Sequence, residues 1–183
     1  MFSSSTCFKI GADKGFQYSN VCGSYICQRK NHFQLSIQIL VDKIAKYVYT
    51  EGHYHEIGYY TIEIYAIRNE FRTEKVQICQ SNTDRRHVKY EPVIIQRFEP
   101  TDDNRVVIKR LHFSEITKNN KFSNQKPNSM QRYFILIVEL RVHLTNGKKC
   151  VLYSVESERI IVRVSFFFTY KKKSYLMLLH VFV

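Results

Sequence analysis

Three segments of this chain bring together the side-chain types that neutralise phosphate and match nucleobase edges. The first, CQRKNHFQ, holds Arg29, Lys30, Asn31 and His32. The second, CQSNTDRRHVK, holds Gln80, Asn82, Asp84, Arg85, Arg86, His87 and Lys89. The third runs from Arg110 to Arg132 and carries Lys118, Asn119, Asn120, Lys121, Asn124, Lys126 and Asn128. An arginine fork fits O6 and N7 of guanine, and an asparagine or glutamine amide fits N6 and N7 of adenine. Lysine neutralises phosphate and releases counterions. Each segment alone equally suits a solvated loop. Three of them at the ends of apolar runs are harder to dismiss.

Catalytic constellations do not emerge. There is no glycine-rich phosphate loop, no GxSxG and no HExxH, so an enzyme and a bound cofactor are not expected. GHYHE offers His53, His55 and Glu56, and on a strand the two histidines would share a face. A third ligand is missing from the spacing, however, and zinc sites usually show spaced Cys/His pairs. An exposed loop of polar aromatics is the better reading. Asp102 and Asp103 beside Asn104 read as a solvated turn.

The charge is uneven as well as large. The 183 residues carry a formal +12, with five basic and one acidic side chain over 110–134 but three basic and five acidic over 33–70. A basic excess confined to segments fits either a polyanion-facing surface or a merely solubilising one. Five cysteines without a CxxC, and an amino terminus without an apolar run, point to a reducing compartment.

The elements that must carry these loops are strands. FQLSIQILV puts Phe33, Leu35, Ile37, Ile39 and Val41 on one face, the period of a half-buried strand. YYTIEIYAI and FILIVELRVHL repeat the pattern, and VQICQS, PVIIQRF, VVIKRLHF, VLYSV and RIIVRV are shorter runs. TNGK at 145–148 contains Asn-Gly, a strong hairpin signal. The only helical piece expected is short, near Ser114–Asn119, with Ser114 as cap. Seven or more strands joined by polar loops predict an all-β antiparallel sandwich. Residues 1–164 form the expected domain, the first ten or so loosely held. The tail 165–183 ends in a nine-residue apolar run, too short for a membrane span of ~20 residues; it suits an edge strand or sequence foreign to the domain.

ADKGF (12–16), CQRKNHFQ (27–34), RLHFSEITKNN (110–120), KPN and QRYF (126–128 and 131–134) and SERIIVR (157–163) together resemble the DNA-binding domain of the myelin regulatory factor family, of the PhoG-like type. The resemblance covers roughly residues 10–164. It implies an s-type immunoglobulin-like β-sandwich that binds double-stranded DNA sequence-specifically through loops at one end. It also implies action in the nucleus after release from a membrane-anchored, trimeric precursor whose other parts lie elsewhere. Carried over by position, it implies DNA contacts from Lys14, Lys30, Asn31, His32, Gln80, Arg85, Asn119, Asn120, Lys126, Asn128, Gln131, Arg132 and Arg163, with Asp84 orienting Arg85. His112 is expected to be buried, and Arg159 to pair with Glu115 or Glu156. Where the family's loop after the paired asparagines is richer in Lys and Arg, this chain has KFSNQ, which predicts less salt-sensitive binding. The competing reading is an immunoglobulin-like interaction module whose basic loops meet an acidic partner.

Overall fold

The structure, a computed structural model, describes residues 7–40, 45–81, 87–98, 104–120, 122–123, 126–164 and 177–182. All regular structure among them is β. In chain order the strands are β1 (Cys7–Lys14), β2 (Phe16–Ser19), β3 (Ser24–Gln28), β4 (Phe33–Leu40), β5 (Tyr47–Thr50), β6 (His53–Arg68), β7 (Lys75–Val76), β8 (Ile78–Ser81) and β9 (His87–Lys89). They continue with β10 (Val93–Ile95), β11 (Asn104–Phe113), β12 (Phe122–Ser123), β13 (Lys126–Pro127), β14 (Phe134–Leu144), β15 (Lys149–Ser157), β16 (Ile160–Arg163) and β17 (Met177–Phe182).

Two layers result. One runs β1-β4-β11-β8-β9. The other is built on the long antiparallel pair β6 and β14, which is in register from Phe134 opposite Arg68 to His143 opposite Tyr59. β14 then pairs with β15 and β16, and β16 runs parallel to β3. β17, in the tail, has neighbours on both sides, β15 and β1. It joins the two layers rather than ending one.

Alternation in the sequence becomes burial in the sandwich. Leu35, Ile37, Ile39, Ile108 and Leu111 from the first layer meet Ile62, Ala66, Leu136, Val138, Leu140 and Val142 from the second in a single core. Burying such side chains contributes about 1.5–3 kcal/mol each before entropy is charged against it. At one end of the core, phenylalanines form a row: Phe16 to Phe33 at 5.0 Å, Phe33 to Phe113 at 5.4 Å and Phe113 to Phe134 at 5.9 Å between centroids.

Several local expectations are corrected. No helix forms at 114–119; Thr117 instead turns its backbone N–H onto Val162 O at 3.0 Å. GHYHE is not a loop but the start of β6. It pairs with β5 through a turn in which Glu51 and Gly52 both take positive φ, and among the described residues no group of His, Cys, Asp or Glu could hold a metal. Tyr90, which follows the second basic segment, is buried in the core, its hydroxyl donating to Ile62 O at 2.9 Å. Arg159 lies over the Tyr133 ring at 5.5 Å. Its expected partners are taken: Glu115 by Arg68 at 2.6 Å and Glu156 by Arg72. The Asn-Gly hairpin forms as expected, with Gly147 at φ 83° between β14 and β15.

On the outer face of this layer His143 stacks on Tyr59, centroids 4.4 Å apart, and its Nε2 lies 3.0 Å from the Thr61 hydroxyl. Burial, with nearby Lys149 adding to it, holds its pKa below the ordinary value of 6.5. The folded state thus favours neutral imidazole, and this contribution to stability is complete above pH 6.5 and lost as the pH falls below it. Urea denaturation at about pH 7.5 and about pH 5 should show His143→Gln losing less stability on acidification than the parent. An equal loss would remove His143 from the pH response.

Candidate nucleic-acid interface

Strand register decides which loops share an end. Lys14 lies opposite Gln34, Phe33 opposite Leu111, Arg68 and Ile160 both opposite Phe134, and Arg163 opposite Gln28. The β1–β2 corner, the β3–β4 turn, the β6–β7 turn, the 114–133 loop and the end of β16 therefore all rim the end where the phenylalanine row sits. The Asn-Gly hairpin and the β5–β6 turn occupy the other end.

Each of these connections is fixed locally. Gly15 turns the β1–β2 corner at φ 94°, packed so closely on β4 that a Cβ would lie 2.6 Å from Phe33 Cβ and 2.9 Å from His32 O. Only glycine can leave Lys14 against the start of β4 in this way. In the β3–β4 turn, Asn31 N–H donates to Gln28 O at 3.0 Å and Arg29 N–H to Arg163 O at 2.7 Å. Lys30, Asn31 and His32 are exposed. The His32 ring nitrogen Nε2 is 2.9 Å from Ser81 Oγ, and the ring lies 5.7 Å from that of buried His112.

The long loop is held by its amides. Thr117, 1% exposed, donates its hydroxyl to Asn120 Oδ1 at 2.7 Å and accepts from Val162 N–H at 3.2 Å. Asn120 Nδ2 donates to Thr117 O at 2.6 Å and to Val162 O at 3.0 Å. Gln131, 6% exposed, places Nε2 within 3.0 Å of Lys118 O and 2.9 Å of Asn120 Oδ1. Asn119, at φ 62°, donates to Met130 O at 2.7 Å, and Asn128 Oδ1 accepts from Met130 N–H at 2.8 Å. Arg132 closes the loop, its N–H donating to Lys118 O at 3.2 Å and its guanidinium 6.0 Å from the Phe71 ring centroid.

This division of labour differs from the one the sequence suggests. Asn120 and Gln131 spend their amide hydrogens on backbone carbonyls and on each other, so they shape the loop and do not offer free base-reading edges. Gln80 behaves likewise. Its Nε2 donates to Lys109 O at 2.9 Å, at the bulge where β11 shifts register against β4 and Arg110 takes φ 60°. Arg163 reaches the rim only through its backbone. Its side chain is 7% exposed and turns Nη2 toward Cys22 Sγ at 3.9 Å. Lys14, Lys30 and Lys118 stand exposed at the rim, with Arg132 half-buried beside them. Arg85 and Asp84 lie outside the described residues. Lys126 falls in β13 of a small hairpin within the loop, and its side chain lies outside the described residues.

Arg29 and Lys118, present in the basic segments but absent from the contacts the resemblance implies, also stand at the rim, and one rim residue escaped sequence reasoning: Phe71, on the β6–β7 turn. RNEFRTEK reads as a mixed-charge turn. Only the pairing of Arg68 with Phe134 brings it beside the long loop, where Asn69 N–H donates to Tyr133 O at 3.0 Å. Nothing in its local pattern could have signalled that.

A β-sandwich whose cationic loops gather at one end presents a positively charged rim there. The chain belongs to the NDT80/PhoG-like DNA-binding family, whose model matches residues 24–166. It is similar to Myelin regulatory factor homolog 1 of Caenorhabditis elegans, 32% identical over 160 residues, covering 85% of this chain and 17% of the relative. It is also similar to Myelin gene regulatory factor-like A of Dictyostelium discoideum, 28% identical over 189 residues, covering 85% and 19%. An uncharacterized protein of the same organism is 28% identical over 166 residues, covering 84% and 14%. The chain thus spans less than a fifth of the length of these curated relatives.

Proposed function

We propose that this chain is the sequence-specific, double-stranded-DNA-binding domain of a nuclear transcription factor, and that it acts by binding rather than by catalysis. The observation that carries this reading is the convergence of Lys14, Lys30, Lys118 and Arg132 on one end of the sandwich, in a member of a DNA-binding family. The lysines supply affinity by releasing counterions from phosphate. Arg132, steered by Phe71, supplies discrimination among base pairs, as does Arg85 from the second segment. Asn119, Asn120, Asn128 and Gln131 act through the loop they hold, and Asn31 and His32 contact DNA beside Lys30. Trimeric assembly and release from a membrane-anchored precursor, which the resemblance implies, belong in this proposal to regions beyond these residues.

Selection from random duplexes at two salt concentrations tests it. One short motif should be enriched, and Arg132→Ala should weaken that duplex more than a scrambled one, by about 1–3 kcal/mol of discrimination. Absence of any enriched motif would favour an interaction module for an acidic partner. Equal loss on both duplexes would reduce Arg132 to a phosphate contact.

A further inference from the structure

One recess at this end differs in its chemistry from two other clefts among the described residues. It has a volume of about 590 Å³ and lies where the β3–β4 turn, the end of β11 and the residue after β16 meet. Arg29, Lys30, His32, His112 and Ser114 supply its polar lining, over a floor formed by buried Phe113. Among the described residues, no carboxylate lines it. By contrast, the cleft beside β7 contains Glu63, and the one between the β6–β7 turn and the long loop contains Glu70 and Glu74. Two permanent cations, two imidazoles and a hydroxyl with no counter-charge among them form a site for an anion.

The mounting is firm. Arg29 is tied through its N–H to Arg163 O at 2.7 Å, and Ser114 through its N–H to Gln77 O at 3.1 Å. His32 is anchored at Nε2 on Ser81 Oγ at 2.9 Å. That contact leaves Nδ1 as the ring's other polar atom.

We infer that this recess is a phosphate-binding site, filled by one backbone phosphate of the bound duplex, with Arg29, which the sequence offers only as one member of a basic segment, and Ser114 as donors beyond those the family resemblance implies. The inference rests on the DNA-binding reading above for the source of the phosphate, and on the recess alone for its chemistry. The arginine fork takes two phosphate oxygens, Lys30 supplies a point charge, and the Ser114 hydroxyl donates beside them, with the His32 ring lining the same recess.

The test uses the full 183-residue chain and the selected duplex, followed by fluorescence anisotropy across a salt series. Arg29→Ala should weaken the selected and the scrambled duplex alike, about tenfold, and lower the slope of log affinity against log salt by about one. Because Arg29 is exposed, its thermal midpoint should stay that of the parent. A scan with single methylphosphonates, which remove one backbone charge at a time, should find one position that weakens the parent but not Arg29→Ala. An unchanged salt slope, or no such position, overturns the inference while leaving the DNA reading intact. If the parent binds no duplex, the DNA reading itself fails. Titration with inorganic phosphate, followed on the ring protons of His32 and His112, then reads the recess alone. Shifts abolished by Arg29→Ala would support an anion site for a small phosphorylated ligand, and absent shifts would overturn the site.

Discussion

Gly15→Ala should lower the stability of the fold by about 3–5 kcal/mol, combining the strain of a left-handed non-glycine residue with overpacking. Gly15 sits at φ 94°, and an added Cβ would stand 2.6 Å from Phe33 Cβ and 2.8 Å from Phe33 Cα. Those are the root of a fully buried side chain and the backbone itself, which cannot swing aside as a flexible side-chain tip could. Gly147 provides the control. It has φ 83° and nothing within 4 Å of its added Cβ, so Gly147→Ala should show the backbone strain alone, about 1 kcal/mol. Urea denaturation of the two variants separates the contributions. Equal losses would mean that the β1–β2 corner is not pressed on β4 as described. Phe33 also anchors the phenylalanine row, so Gly15→Ala should weaken duplex binding as well, by displacing Lys14 and the β3–β4 turn together.

Thr117→Val should have the second large effect, through the long loop. The two side chains are nearly the same shape, so the loss isolates the hydroxyl. That hydroxyl accepts from Val162 N–H at 3.2 Å and donates to Asn120 Oδ1 at 2.7 Å, in a site 1% exposed. Leaving buried partners unsatisfied costs about 1–3 kcal/mol. The loop should then separate from β16 before the sandwich unfolds. The expected signature is faster hydrogen exchange at the amides of Thr117 and Arg132, and duplex affinity reduced about tenfold or more. Thr117→Ser, which keeps the hydroxyl, should restore most of both. If valine binds duplex as well as threonine does, the loop is not held by this contact.

The long strands were legible in the sequence because each has one wet face. Leu35, Ile37 and Ile39 alternate with Gln34, Ser36 and Gln38, and the structure buries the first set fully while leaving the second only partly covered. β3 was invisible for the opposite reason. Ser24, Tyr25, Ile26 and Cys27 are all buried, so SYICQ shows no period; burial also pushes the Cys27 thiol up to about 12. The clustering of Lys, Arg, Asn and Gln in loops was legible as well. The roles of the amides were not, because an asparagine that could read adenine looks identical to one that caps a carbonyl. Asn120 belongs to the second kind, and its partner is Val162 O, 42 residues away. No local pattern announces such a partner.

The parallel pairing of β16 with β3, Arg163 opposite Gln28, has a consequence for how the protein comes into being. Val162 is the post to which Thr117 and Asn120 are tied, and Arg163 O receives the turn that carries Lys30. A nascent polypeptide still lacking residues 160–163 can pair β6 with β14 but has neither of these ties. Under the proposed function, full duplex affinity is expected only once translation has passed the last of these residues, and a product terminated before them should compete weakly for the target.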